Sequence, residues 1–310
     1  MKPVQLICTL ALAAQYPLAS LASPTEPLAG RWDLTITTPT ETYPSWVDIQ
    51  FVDGAPKVRV QGKVSSVHPA TDVKLDGASH ISFSTSEWFG KQVPVTWELT
   101  VADGALTGYQ KRSGVMGQIA GVPAPLLDRA APKAWTNPEP LFNGRNLDGW
   151  VPDDPSKNHW AVIDGDLVNV KPGANLESTR KVQDFKLHIE LNCPDEGNSG
   201  IYLRGRYEVQ VAYQKENDAI HGMGAVYGFL APEADVVPEP GTWETFDITL
   251  VGRHVTIARN GTTIVHSREI PGITGGALDS SEADPAPIFL QGDHTGGMKY
   301  RNITIQVPQE

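Results

Sequence analysis

The stretch Asn198-Ser199-Gly200-Ile201-Tyr202-Leu203-Arg204, followed at once by Tyr207-Glu208-Val209-Gln210-Val211, decides how this chain is read. Side chains on a β-strand alternate between faces with a period of two. Ile201 and Leu203 are therefore expected on one face, with Tyr202 and Arg204 on the other. Val209 and Val211 share a face in the same way, opposite Glu208 and Gln210. Each of two neighbouring strands thus has an apolar face for a core. The remaining face carries Arg, Tyr, Glu and Gln, where a solvated sheet usually shows Thr, Ser or Lys. Ligand sites are built from convergent polar groups on a rigid scaffold, so this face is expected to line a polar groove. The bland alternative is a solvated sheet face with one surface ion pair, in which Asn198 and Gly200 serve only a turn.

The pattern extends outward from these strands. Short alternating runs separated by Gly, Pro, Asp and Asn fill the chain, and 29 Gly and 25 Pro supply many turns. Helical periodicity is nearly absent, which predicts an all-β protein of sandwich or barrel type. Strands are expected in the first part over residues 31–37, 46–51, 57–61, 81–84, 96–101 and 105–110, the last two joined at Asp103-Gly104. A Pro- and Asn-rich link over 131–140 separates a first domain, 27–131, from a second, 138–308. In the second, strands are expected over 159–163, 166–170, 185–191, 200–203, 207–211, 243–251, 254–259, 262–266, 288–290 and 300–307. Asp164-Gly165 and Asn260-Gly261 are hairpin signals, because both residues of each pair tolerate positive φ. So many strands in one domain suggest two packed antiparallel sheets, a jelly roll.

The N-terminus reads Met1-Lys2-Pro3, an uncharged apolar run from Val4 to Ala14, then Ser20-Leu21-Ala22. That is the layout of a secretory signal peptide over 1–22, and it predicts an exported protein, periplasmic or extracellular. The run is too short for a bilayer-spanning helix, and no later segment is a candidate for one. Cys8 lies in this segment, so the mature chain keeps only Cys193 and has no internal disulfide. Stability must come from a buried core. The net charge is -11, from 25 Lys and Arg against 36 Asp and Glu, with no basic run. This argues against nucleic acid and against an anionic membrane surface as partners. Neutral ligands such as carbohydrates remain open, and the eight Trp and eight Tyr are compatible with sugar stacking.

Residues 138–308 resemble the 3-keto-disaccharide hydrolase domain family, through an ordered set of motifs. These are Leu141-Phe-Asn-Gly-Arg-Asn-Leu-Asp-Gly-Trp150, Trp160-Ala-Val-Ile-Asp-Gly165, Asp184-Phe-Lys-Leu187, the Asn198–Arg204 and Tyr207–Gln210 runs, and Gly224-Ala-Val-Tyr-Gly228. Trp243, Asn260-Gly261, Gln291-Gly-Asp-His294 and Tyr300-Arg-Asn-Ile303 complete it. The resemblance implies a concanavalin-like jelly roll whose concave sheet holds substrate. It also implies cleavage of glycosides already oxidised to a ketone at C3. Two positions depart from the family pattern and are expected near the site: Glu244 where the family has Asn, and Gly292, which stretches Gln-Asp-His. The first domain resembles a lipocalin-like antiparallel β-barrel, or a sandwich, through Gly30-Arg31-Trp32 and Gly117–Pro125. It reads as a rim to the site, a sugar-binding module or a structural partner.

A ketone at C3 acidifies the hydrogen on C2, and the resulting enolate can expel the oxygen at C1. Such an elimination, with water added afterwards, needs a base, a stabiliser for the enolate and an acid for the leaving group. Glu208 is the first candidate for base or metal ligand. His294 can be base, leaving-group acid or metal ligand, since it titrates near neutrality. Arg204 can pair with Glu208 or hold an oxyanion, and Tyr227 is a second acid. Asn198, Gln210 and Arg301 could bond sugar hydroxyls, as could Gln291, with Tyr202 and Trp243 as further lining. Asp293 could orient His294 or bind metal. A divalent metal would polarise the ketone, but no close His-x-His or His-x-x-x-His spacing supports one. His159 and His188 fall in strand runs and read as sheet residues, whereas His221 sits in a Gly-rich loop. Cys193 reads as an inert packed thiol.

Two other functions compete. A non-catalytic carbohydrate-binding β-sandwich would use the aromatics and hydrogen bonders but no base. A retaining glucanase needs two carboxylates ~5–5.5 Å apart. Glu-x-Asp-x-Glu is absent, and Glu208 has no acidic neighbour two or four positions away.

Overall fold

The structure, a computed structural model, describes residues 26–309 other than Ser65, Phe89, Glu216, Asn217, Asp235 and Pro238. The expected signal peptide, 1–22, lies outside the described residues. Among the described residues the fold is all-β apart from one 3-10 turn, Pro155–Lys157.

The first domain is one antiparallel sheet of β1 (Gly30–Thr37), β2 (Thr42–Val52), β3 (Ala55–Gln61), β4 (Val67–Pro69), β5 (Thr71–Asp76), β6 (His80–Trp88), β7 (Gln92–Ala102), β8 (Ala105–Arg112) and β9 (Val115–Pro123). Its order is β4-β3-β2-β1-β9-β8-β7-β6-β5. β4 and β5 stand at opposite ends of that order, yet only Ala70 separates them in sequence. The sheet must therefore curl until its ends meet, which gives the barrel-like shape expected of a lipocalin-like meander. On β7 the period-two pattern buries Val93, Val95, Trp97, Leu99 and Val101. The last four join Leu34, Ile36, Ile49, Ile81 and Phe83 inside the curl. Asp53-Gly54 and Asp103-Gly104 take positive φ at both residues, as tight hairpins of this hand require.

The second domain contains β10 (Glu139–Pro140), β11 (Trp150–Pro152), β12 (Trp160–Ile163), β13 (Asp166–Asn169), β14 (Leu176–Val182), β15 (Phe185–Asn192), β16 (Asn198–Leu203) and β17 (Tyr207–Ala212). It continues with β18 (Trp243–Val251), β19 (His254–Arg259), β20 (Thr262–Glu269), β21 (Ala286–Leu290) and β22 (Met298–Gln306). Two antiparallel sheets result. One has the order β12-β13-β22-β15-β18-β19-β20, with β10 added to β22; the other is β11-β14-β21-β16-β17. Phe185, Leu187, Ile189 and Leu191 of β15 face Ile201, Leu203, Val209 and Val211 across the core of this sandwich. Asp164-Gly165 and Asn260-Gly261 form the expected turns. β5 and β14 carry little sequence signal. β5 is an exposed end strand, and the pairing of β14 with β21 shifts register between Glu177 and Lys181.

The two domains are packed together. Trp46 of β2 is fully buried in the core of the second domain. Its ring lies 6.1 Å from that of Phe229, and its Nε1 donates to the carbonyl of Ile273 at 2.9 Å. Arg31 of β1 reaches across to Glu282 at 2.9 Å.

Candidate active site

Tyr202 and Glu208 stand directly opposite one another in the β16–β17 hairpin, on the face turned away from the sandwich core. Glu208 is only 4% exposed. Its carboxyl contacts the Tyr202 hydroxyl through Oε2 at 3.0 Å. Gln210, with its amide oriented to serve both neighbours, donates to Glu208 Oε1 at 3.2 Å and to the Ser199 carbonyl at 3.0 Å. The Tyr202 hydroxyl also lies 2.9 Å from the Gly275 carbonyl. One hydroxyl hydrogen cannot serve two acceptors. With Glu208 ionised it goes to the carboxylate; with Glu208 protonated the acid donates to the phenol, which then donates to Gly275. The site thus has a complete bonding pattern for the neutral acid. Burial pushes the Glu208 carboxyl up to about 8, against the lowering effects of the Tyr202 hydrogen bond and the His294 charge.

Around this carboxyl a polar cavity of about 160 Å³ is lined by Asn198, Tyr202, Glu208, Gln210, Tyr227, Gln291, Asp293 and His294. Eight of the expected site residues are therefore gathered in one place. His294 Nδ1 meets Asp293 Oδ1 at 2.5 Å. That bond and the neighbouring carboxylates hold the imidazole above its usual range, despite partial burial. Tyr227 is raised by burial and by the nearby Glu208 charge. The Tyr227 N–H donates to the Glu208 carbonyl at 3.0 Å, and Val226 bridges to Val209, so the Gly224–Gly228 segment lies along β17. The loop carrying Asp293 and His294 is held by the Gln291 N–H on the Gly200 carbonyl (2.9 Å) and the Gly292 N–H on Asn175 Oδ1 (2.9 Å). Gln291 Oε1 is buried with no partner among the described residues, an acceptor available to a ligand hydroxyl.

Three expected residues lie elsewhere. Arg204 does not share the face of Tyr202, because β16 ends at Leu203 and Arg204 turns into positive φ (52°) before Gly205. Its side chain is fully buried, donating to Tyr207 Oη at 3.0 Å and to the Gly252 carbonyl at 2.9 Å. It neither pairs with Glu208 nor reaches the cavity. Arg301 and Trp243 belong to the opposite sheet. The Arg301 guanidinium lies 3.8 Å from the centre of the Trp243 ring and bonds Glu190 at 2.7 Å, so the two stack on each other outside the cavity. Of the departures from the family pattern, Glu244 is buried against Arg259 and Tyr213 away from the cavity. Gly292 adjoins the cavity residues, and a Cβ there would fall 2.1 Å from the Ala174 carbonyl oxygen. Glu208, Asp293 and His294 do not form a metal cradle: among the described residues no three His, Cys, Asp or Glu side chains converge to hold an ion.

Other contributors carry little sequence signal. A Cβ at Gly200 would lie 2.3 Å from Glu208 Oε1, so Gly200 makes room for the carboxyl rather than serving a turn. Thr274 Oγ1 accepts from the Glu208 N–H at 3.0 Å. Gly275 and Gly276 line the cavity, and a Cβ at Gly276 would meet Tyr202 Oη at 2.6 Å. Val64 lines it too, from the first domain. The Gly200 constraint was open to inference, since a Gly inside a strand often marks close approach of a neighbouring group.

The fold and cavity define an all-β protein with a polar cavity around a buried carboxyl on the face of a jelly-roll sandwich. The model of the 3-keto-alpha-glucoside-1,2-lyase-like domain matches residues 137–306, and the chain belongs to that family. Similar solved structures include a provisionally named glycosyl hydrolase from Parabacteroides distasonis. It is 26% identical with a TM-score of 0.47, over 58% of this chain and 93% of its own. Another from the same organism is 18% identical with a TM-score of 0.47, over 57% and 94%. No curated protein matches the chain.

Proposed function

We propose that the protein is an exported enzyme that cleaves 3-keto-glycosides, including 3-keto-disaccharides, by C2 proton abstraction and elimination at C1. The observation that carries this reading is the geometry at Glu208: a buried carboxyl on the cavity floor, bonded on both oxygens and poised to exchange a proton near neutrality. The family match supports a substrate of the glycoside class.

Glu208 as carboxylate removes the C2 proton, and the electron pair passes to the C3 oxygen as an enolate. The Tyr227 hydroxyl, on the wall of the same cavity, is the hydrogen-bond donor for that oxygen. The enolate then expels the C1 oxygen, which takes a proton from the His294 imidazolium held by Asp293. Water adds at C1 and gives its proton to the now neutral His294, while Glu208, its carboxyl hydrogen exchanged with solvent, returns a proton to C2, for net hydrolysis; release before water adds makes the same enzyme a lyase. Gln210, Asn198 and Gln291 hold ring hydroxyls. Acid–base groups placed this way each contribute roughly 10²–10⁴-fold. A carbohydrate-binding module would need no buried acid beside an Asp-held imidazole.

The test is product release from a 3-keto-glucoside and from its unoxidised parent. Cleavage of the keto form alone, lost in Glu208→Gln and His294→Ala, supports the reading. Equal cleavage of both forms, or saturable binding without cleavage, overturns it. Export is tested by mature N-terminal sequencing after expression with residues 1–22 intact.

A further inference from the structure

The first domain takes part in the site at three points. Val64, in the β3–β4 connection, lines the cavity itself. Two residues further on, Ser66 Oγ bonds His221 Nε2 in the second domain, and His221 Nδ1 bonds Asp218 Oδ1 at 2.6 Å. The order Ser-His-Asp resembles a nucleophile, base and orienting acid. The Asp218 side chain, however, is 68% exposed, unlike the buried carboxylate that holds such a histidine. The chain of bonds instead works as a strut. His221 packs edge-on against Tyr227 at 4.8 Å, and Ser66 fills the space beside Gly228, where a Cβ would lie 2.7 Å from its Oγ. The third point is Trp46, whose bond to the Ile273 carbonyl anchors the segment that carries Thr274, Gly275 and Gly276.

Among the described residues, every hydrogen-bonding side chain lining the cavity comes from the second domain, and Val64 is the one aliphatic side chain. A keto-sugar ring carries oxygen at nearly every edge and calls for hydrogen-bonding partners. An aliphatic wall offers none, and acts on a bound molecule through its bulk alone. Resting on the function proposed above, we propose that Val64 is a specificity-determining residue that limits the size of the leaving group. The first domain is then a fixed wall of the active site, not an appended module.

The experiment measures kcat/KM for a methyl 3-keto-glucoside and for a 3-keto-disaccharide, with wild type, Val64→Ala and Val64→Phe. Small changes in the size of an apolar wall are worth about tenfold or more in discrimination. Val64→Ala should raise the disaccharide-to-methyl ratio about tenfold, and Val64→Phe should lower it by a similar factor. A merely structural role would scale both substrates together. Ratios unchanged in both variants, with wild type active on both substrates, overturn the Val64 assignment alone. A wild type inactive on both substrates overturns the underlying function and the assignment with it.

Discussion

Replacing Glu208 with Gln should stabilise the protein more and more as pH rises. Glu208 has a folded-state pKa raised from 4.5 to about 8, chiefly by burial. A raised pKa means that its contribution to stability is fully present below the unfolded value and is lost as pH climbs through the folded one. At about 1.36 kcal/mol per unit, this shift corresponds to a loss of roughly 5 kcal/mol across the whole window, of which about 4 kcal/mol falls between pH 5 and pH 9. Gln imitates the protonated acid, since its amide N–H can donate to Tyr202 while its oxygen accepts from Gln210. It carries no ionisation cost at any pH. Urea denaturation of both proteins at pH 5, 7 and 9 reads the difference directly, and other pH effects common to both cancel. The gap in unfolding free energy should widen by about 4 kcal/mol from pH 5 to 9, most of it below pH 8. A gap constant to within about 1 kcal/mol would refute the claim that Glu208 is held as a neutral acid.

Gly200→Ala places a Cβ 2.3 Å from Glu208 Oε1; it should displace the carboxyl and lower kcat by about 10²-fold or more, while circular dichroism remains that of folded protein. The pH profile of kcat/KM should be bell-shaped, one limb set by Glu208, raised to about 8, and the other by His294, raised above its usual value; a flat profile from pH 6 to 9 would contradict both roles. Trp46→Ala empties a fully buried site between the domains, and should cost about 3–5 kcal/mol in urea denaturation; a loss below about 1 kcal/mol would show that the domains are not coupled through it.

The sandwich was legible because apolar residues recur at every second position of β15, β16 and β17, and because Asp-Gly and Asn-Gly pairs mark its turns. The same alternation placed Tyr202, Glu208 and Gln210 together. It failed at Arg204, since period two applies only while the strand continues, and a positive φ redirects the next side chain. Arg301 and Trp243 were motif residues, but motif order carries no information about which sheet a strand joins. Val64, Ser66 and Gly275 come from connections far away in sequence, where only tertiary packing brings them to Glu208. The curl of the first domain was legible in outline, but its position against the cavity was not. That position rests on Trp46, one aromatic among several on alternating strands.

The central claim is that Glu208 takes a proton from C2 of the substrate. Cleavage of a 3-keto-glycoside in deuterated water, followed by mass or NMR readout of the sugar product, tests it most directly. Solvent deuterium at C2 in the wild-type product, with no enzyme-dependent exchange into the uncleaved substrate in Glu208→Gln, is the predicted result. Cleavage that leaves the original C2 hydrogen in place would contradict the account.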